Sequence, residues 1–274
     1  MVLFPNSKIN IGLNIIGKRN DGYHNIETVF YPLPVKDAVE IIESRNPDGS
    51  DITFTSSGRI ADSNTEDNLC VKAYRLLKKD FPEISSVIMH LYKNVPIGAG
   101  LGGGSSDGAA VLLLLNKKFN LNISEEKLIE YALRLGSDCP FFIINKPCFA
   151  EGRGEIIKEI PLDLSGYKIM IVHPGIHVNT ANAFAQFGTN YSTAGSLHNA
   201  IQKDISEWKN IIINDFENPV FNQYPQIKEI KTIMYENRAL YSSMSGSGST
   251  VFGIFPQDED INIKFPSHYF CRIV

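Results

Sequence analysis

The order of apolar and polar positions along the chain predicts strands first and helices after them. Lys8-Ile9-Asn10-Ile11-Gly12-Leu13-Asn14-Ile15 alternates strictly, the period of a half-buried strand. Asn20-Asp21-Gly22 supplies a turn, and residues 39–43 and 52–55 read as short strands around a Pro47-Asp48-Gly49-Ser50 turn. After Asn64-Thr65-Glu66-Asp67-Asn68 the period changes, and Leu69, Lys72, Ala73, Leu76 and Leu77 recur at helical spacing. Residues 87–92 are strand-like. Residues 109–115 are apolar nearly all round, which predicts a buried helix. Another helix spans 124–135 and opens on Ser124-Glu125-Glu126-Lys127, similar to a capping box. Gly152-Arg153-Gly154 and residues 161–166 look like connecting segments. Residues 168–172 form a strand ending at His173-Pro174-Gly175, then amphipathic helices and a strand over 250–255 follow. The pattern is α+β, with an expected division into domains 1–155 and 156–274.

Composition narrows the classes of function. The chain has 274 residues, 43% of them apolar and 20% charged, enough for one large core or two smaller ones. A net charge of −4 and a pI near 5.9 lack the basic footprint of a nucleic-acid or membrane-surface binder. Cys70, Cys139, Cys148 and Cys271 form no CxxC pair, so neither a metal site nor a disulfide framework is expected. With no signal-peptide pattern and no apolar run of ~18 residues, a cytoplasmic protein is the expectation.

The chemistry concentrates in Pro96-Ile97-Gly98-Ala99-Gly100-Leu101-Gly102-Gly103-Gly104-Ser105-Ser106-Asp107, which joins a strand to the buried helix. Glycines let the backbone take positive φ and approach a ligand closely. The helix behind them offers free N–H groups and the positive end of its dipole, a natural phosphate site. Gly98, Gly100 and Gly103 satisfy GxGxxG, but a dinucleotide site needs an acidic residue ending the next strand about 20 residues on. Residues 120–125 are instead a loop into a helix. No GxxxxGK[ST], HRD or DFG element is present.

Outside the loop, single residues carry open alternatives. Asp138, in a small-residue turn before a bulky apolar run, can serve as a general base or as a helix or turn cap. Lys8 can stabilise a transferring phosphoryl group or stand as an ordinary strand lysine. Tyr23-His24 can hold a base or form an unremarkable loop pair. Ser245-Gly246-Ser247-Gly248-Ser249-Thr250 reads equally as a second phosphate-side loop or a tight connection.

The Lys8 strand, the Pro96 glycine loop and the late Ser-Gly-Ser-Gly-Ser, in that order, resemble the GHMP kinase superfamily. Within it, Gly17-Lys-Arg-Asn-Asp-Gly-Tyr-His24, Gly102-Gly-Gly-Ser-Ser-Asp107 and Gly136-Ser-Asp-Cys-Pro-Phe-Phe142 are similar to the branch acting on 4-diphosphocytidyl-2-C-methyl-D-erythritol in the non-mevalonate isoprenoid pathway. The resemblance implies an N-terminal domain like domain 2 of ribosomal protein S5, a ferredoxin-like C-terminal domain, and a site between them. It also implies an alcohol kinase using ATP with Mg²⁺, no resident metal, and a cytidine diphosphate sugar alcohol as substrate. A monomer or weak homodimer is the expected assembly.

By the same resemblance Asp138 is the base and Lys8 its orienting, charge-stabilising partner. Pro96, Gly98, Gly100, Leu101, Gly102, Gly103, Gly104, Ser105 and Ser106 wrap the ATP phosphates, with Asn68 and Lys93 near the adenine. Asn10, Tyr23, His24, Thr180 and Phe184 face the substrate, Tyr23 and His24 at its cytosine. Three positions depart from the family pattern. Gly108 replaces an alanine, costing roughly 0.5–1 kcal/mol of helix stability, and Ser137 and Cys139 flank Asp138. Cys139 is thereby a candidate for thiol modification.

Overall fold

The computed structural model describes residues 1–44, 51–59, 65–188 and 191–274; the turn expected at 47–50 and Asn64 lie outside them. The first strands are β1 (Val2–Leu3), β2 (Asn6–Lys18), β3 (His24–Lys36), β4 (Ala38–Glu43), β5 (Ile52–Gly58) and β6 (Val87–Lys93). The helices α1 (Leu69–Asp80), α2 (Gly103–Lys118), α3 (Glu125–Leu135) and α4 (Cys139–Ile144) belong to the same half of the chain. There follow β7 (Cys148–Glu151), β8 (Ile156–Glu159) and β9 (Tyr167–His173). Next come α5 (Thr180–Phe187), α6 (Ser196–Ala200), α7 (Ile205–Ile211), α8 (Glu217–Gln223) and α9 (Pro225–Glu236). The chain closes with β10 (Tyr241–Met244), β11 (Val251–Pro256) and β12 (Phe270–Ile273).

These elements sort into two compact units, each built from separated stretches. One comprises Met1–Ser7, Pro34–Ile97 and Gly102–Asn145; the other comprises Lys8–Leu33, Gly98–Leu101 and Lys146–Val274.

The first unit is a four-stranded sheet in the order β1-β4-β6-β5 with helices against it. β5 and β6 run parallel, Ile52 opposite Val87 through Gly58 opposite Lys93, so a crossover must join them, and α1 supplies it. Asn68 starts α1 by accepting a hydrogen bond from the Cys70 amide at 2.9 Å, and Lys78 and Lys79 lie at its carboxyl end, where positive charge is favoured. The apolar run at 109–115 is the middle of α2, which packs on α1, α3, α4 and β4. Val111, Leu112 and Leu115 are fully buried there, each adding roughly 1.5–3 kcal/mol through burial. Gly108 has a packing reason: a Cβ there would lie 3.0 Å from Leu69 Cβ on α1.

The second unit contains two four-stranded sheets, ordered β2-β3-β7-β8 and β10-β11-β9-β12. The β3–β7 ladder runs from Thr28 opposite Ala150 to Phe30 opposite Cys148 and stops before Pro32 and Pro34, which cannot donate to a ladder. β9 is central to the other sheet, with antiparallel β11 on one side and β12 on the other. Leu13, Ile15, Met170, Val172, Phe216, Ile227, Val251 and Phe255 share one core with α5, α8 and α9 around it. Residues 245–250 turn between antiparallel β10 and β11, closed by a Ser245 N–H to Thr250 carbonyl bond of 2.8 Å. The late small-residue segment is therefore a hairpin turn.

Candidate active site

Three glycines set the shape of the early loop. Gly98, Gly100 and Gly102 have φ of 64°, 79° and 69°, so every second residue is left-handed and side chains are disfavoured there. Gly100 is doubly constrained, because a Cβ would run into the Ser245 carbonyl oxygen. In the second unit, residues 98–101 are tied down from several directions. The Lys8 amide donates to the Leu101 carbonyl at 3.0 Å and the Thr250 amide to the Ala99 carbonyl at 3.1 Å. The Ser245 hydroxyl donates to the Gly100 carbonyl at 2.7 Å.

In the first unit the chain enters the loop through buried Pro96 and leaves it as α2, whose N-cap Gly102 offers no side chain to its amides. Gly103 is buried, Gly104 exposed, Ser105 half-buried and Ser106 only 3% exposed. A helix start with uncapped N–H groups and an exposed glycine suits an anion. Asp138 stands just before α4, half-buried, and makes no side-chain capping bond to that helix. Asn68 spends its side-chain oxygen capping α1. Lys93 is buried in ion pairs with Asp37 and, at 2.7 Å, with Asp107.

The second unit assembles the alcohol-side candidates. Lys8, 3% exposed, donates to the Asn10 side-chain oxygen, and its ammonium lies 5.0 Å from the centre of the Phe30 ring. Asn10 is held by its own amide donating to Ser245 Oγ at 3.1 Å and by Nδ2 donating to Thr28 Oγ1 at 2.9 Å. His24 and Phe184, far apart in sequence, stack with centroids 4.7 Å apart and planes 10° from parallel. Burial, aided by Lys18, lowers the His24 pKa and favours the neutral ring. Phe184 is buttressed edge-on by Phe216 at 4.7 Å. Thr180 opens α5, its hydroxyl 2.7 Å from that of Ser247. Tyr23 is 56% exposed, with the Arg153 guanidinium 4.9 Å from its ring centre.

Comparison with known proteins decides the family. The sequence family described as GHMP kinases N terminal domain matches residues 68–146, and GHMP kinases C terminal matches residues 196–264. A 4-diphosphocytidyl-2-C-methyl-D-erythritol kinase of Bacteroides fragilis is 52% identical over 271 residues, covering 99% of this chain and 98% of the relative. The chain belongs to the 4-diphosphocytidyl-2-C-methyl-D-erythritol kinase family. A relative of the same name from Porphyromonas gingivalis is 42% identical over 265 residues, covering 96% of this chain and 94% of the relative. A crystal structure of 4-(cytidine 5'-diphospho)-2C-methyl-D-erythritol kinase superposes with a TM-score of 0.78 at 29% identity, covering 93% of this chain and 90% of that one. A mevalonate kinase structure superposes with a TM-score of 0.72 at 13% identity, covering 100% of this chain and 99% of that one, a likeness of fold alone.

A member of this family is a phosphotransferase with an alcohol acceptor, and the expected α+β GHMP kinase fold is the one observed. Among the described residues no helix is long and apolar enough to cross a membrane. One expectation is corrected: Cys139 is fully buried and burial pushes its thiol up to about 12, so it is not a reactive thiol. Several residues escaped the reading of the sequence. Asp37 and Asp107 complete the Lys93 cluster, Arg153 covers Tyr23, and Asn214 and Glu217 support the late turn. Only Asp107 carried a signal, as the last residue of the glycine-loop motif and the lone acid of α2.

Proposed function

We propose that this chain transfers the γ-phosphoryl group of ATP to the 2-hydroxyl of 4-diphosphocytidyl-2-C-methyl-D-erythritol. The observation that carries the reading is the 52% identity, over nearly the full length of both chains, to a kinase of that name. The stacked His24–Phe184 pair supports the substrate choice, since a planar aromatic platform suits a pyrimidine base. Tyr23 adds a second ring on the cytosine side, and Asn10 and Thr180 contribute polar groups to the sugar alcohol.

In the proposed reaction the Asp138 carboxylate accepts the proton of the 2-hydroxyl as that oxygen bonds to the γ-phosphorus. The bond from the γ-phosphorus to the β–γ bridging oxygen breaks, and ADP leaves with the electron pair. Lys8, fixed by Asn10 and Phe30, orients the reacting groups and stabilises the charge that develops. The loop amides and the start of α2 hold the triphosphate, and Asn68 lies on the adenine side. Positioning and charge stabilisation then carry most of the rate, with the base contributing roughly 10²–10⁴-fold.

The donor set fits Mg²⁺ arriving on the nucleotide. Ser105 offers a half-buried hydroxyl at the loop. Magnesium is commonly held by substrate phosphates with few protein ligands, and when bound it neutralises phosphate charge. The deciding assay is ADP release with ATP, Mg²⁺ and each of four alcohols: the cytidine compound, homoserine, mevalonate and galactose. Turnover confined to the cytidine compound is expected; turnover of another alcohol alone would discard the substrate and the roles of Tyr23 and His24.

A further inference from the structure

Lys93, the last residue of β6, immediately precedes the segment that leads into the glycine loop, and its ammonium is only 6% exposed. It pairs with two carboxylates from opposite sides. Asp37, in the link between β3 and β4, is one; Asp107, one turn into α2, is the other, at 2.7 Å. Asp37 does more than neutralise. Its other oxygen accepts the amides of Asn94 and Val95 at 2.6 and 2.8 Å, fixing the backbone that leaves β6. The Asn94 side chain donates to the Lys36 carbonyl at 3.2 Å and closes the same corner. On the far side of the loop, a Cβ at Gly103 would lie 3.1 Å from Lys93 Nζ and 3.1 Å from Val95 Cγ1. The first residue of α2 therefore rests on the lysine itself.

The geometry points to Lys93, Asp37 and Asp107 as positioning residues that clamp the two ends of the phosphate loop through one buried ammonium. A direct contact between Lys93 and the nucleotide base is the opposing idea. With two of its three N–H donors held by carboxylates that are 1% and 3% exposed, that ammonium offers a neutral base at most one buried donor. The clamp fixes the ends of a glycine loop whose middle is held by bonds from Lys8, Ser245 and Thr250, so that it stays ready for a triphosphate. Preorganised amides bind anions without the entropy cost of ordering them first. Breaking the clamp lets both loop ends move, so the loss falls on the phosphates and not on the base.

This inference rests on the proposed ATP site, and the experiment separates the two. Lys93→Gln is compared with the wild type for binding of ATP, GTP, inorganic triphosphate and adenosine, and for KM of the alcohol. The clamp predicts about tenfold weaker binding of ATP, GTP and inorganic triphosphate alike, with adenosine binding and the alcohol KM unchanged. Loss of adenosine binding, or of ATP binding beyond that of triphosphate, would show a base contact and overturn the clamp alone. Equal losses for every ligand and for the alcohol would also overturn it, as general damage. A wild type that binds no nucleotide or triphosphate would overturn the ATP site and the clamp with it. If Lys93→Gln fails to fold, Asp107→Ala, which leaves the Lys93–Asp37 pair in place, carries the same expectation and the same refutations.

Discussion

Two segments of small residues, 98–104 and 245–250, have no bulky side chains to define their shape, yet their surroundings restrain them by different chemistry. The late turn leans on an amide. Asn214 Nδ2 donates to the Met244 and Gly246 carbonyls at 2.7 and 2.8 Å, and its oxygen accepts the Phe216 amide at 3.0 Å. Glu217 adds bonds from the Met244 amide at 2.9 Å and the Ser243 hydroxyl at 3.0 Å. The two ends of the early loop lean on an ammonium shared by two carboxylates. A neutral amide holds fixed directions and does not titrate. A cluster of two anions and one cation keeps an excess negative charge, and burial raises Asp107 to about 7 against the pull of Lys93. Restraint of the early loop is thus tied to pH, and the Asn214 brace is not.

Breaking the neutral brace has the largest expected effect on stability. Asn214→Ala strands two buried carbonyls and one buried amide and should cost about 3 kcal/mol in urea unfolding. Its cost relative to the wild type should stay level between pH 5 and 8. A strong pH dependence would mean that the Asn214 bonds are coupled to the neighbouring Glu217 carboxylate and are not an independent neutral brace.

Asp107→Asn sharpens the other half. The folded value of about 7 lies above that of an unfolded carboxylate, near 4. The folded chain therefore keeps a proton that the unfolded chain releases, and this contribution to stability is lost as pH rises through that window. The variant has no such proton to lose. Its unfolding free energy relative to the wild type should rise from pH 5 to pH 8, on the order of 2 kcal/mol. A flat difference would place the excess charge elsewhere.

The periodic segments were the legible part of the fold. The alternation at 8–15 became the middle of β2, where both faces are buried and not one as the period implied, and the helical spacing after Asn68 became α1. The apolar run at 109–115 became the buried heart of α2, and Ser124 caps α3 as its sequence suggested, accepting the Lys127 amide at 3.4 Å. β3 was not legible, because Pro32 and Pro34 interrupt it and its ladder to β7 covers only three residue pairs. β7, β8, β10 and β12 have four residues each, too short for a period to stand out.

The candidate site divides in the same way. Loop glycines announce themselves by composition, whereas Asp37, Asn214 and Glu217 gain meaning only from what folding brings beside them. Lys93 entered the reading only through the family resemblance, as a residue near the adenine; its two buried carboxylates show where its charge is engaged.

The most direct test of the proposed chemistry is Asp138→Asn, which keeps the shape of the side chain and removes its ability to take a proton. Turnover with ATP and 4-diphosphocytidyl-2-C-methyl-D-erythritol should fall by about 10²–10⁴-fold, while affinity for ATP stays within about twofold, well under the ~1.4 kcal/mol that a tenfold change represents. A variant that turns over near the wild-type rate would contradict the account, because the hydroxyl proton would then leave by a route that does not include Asp138.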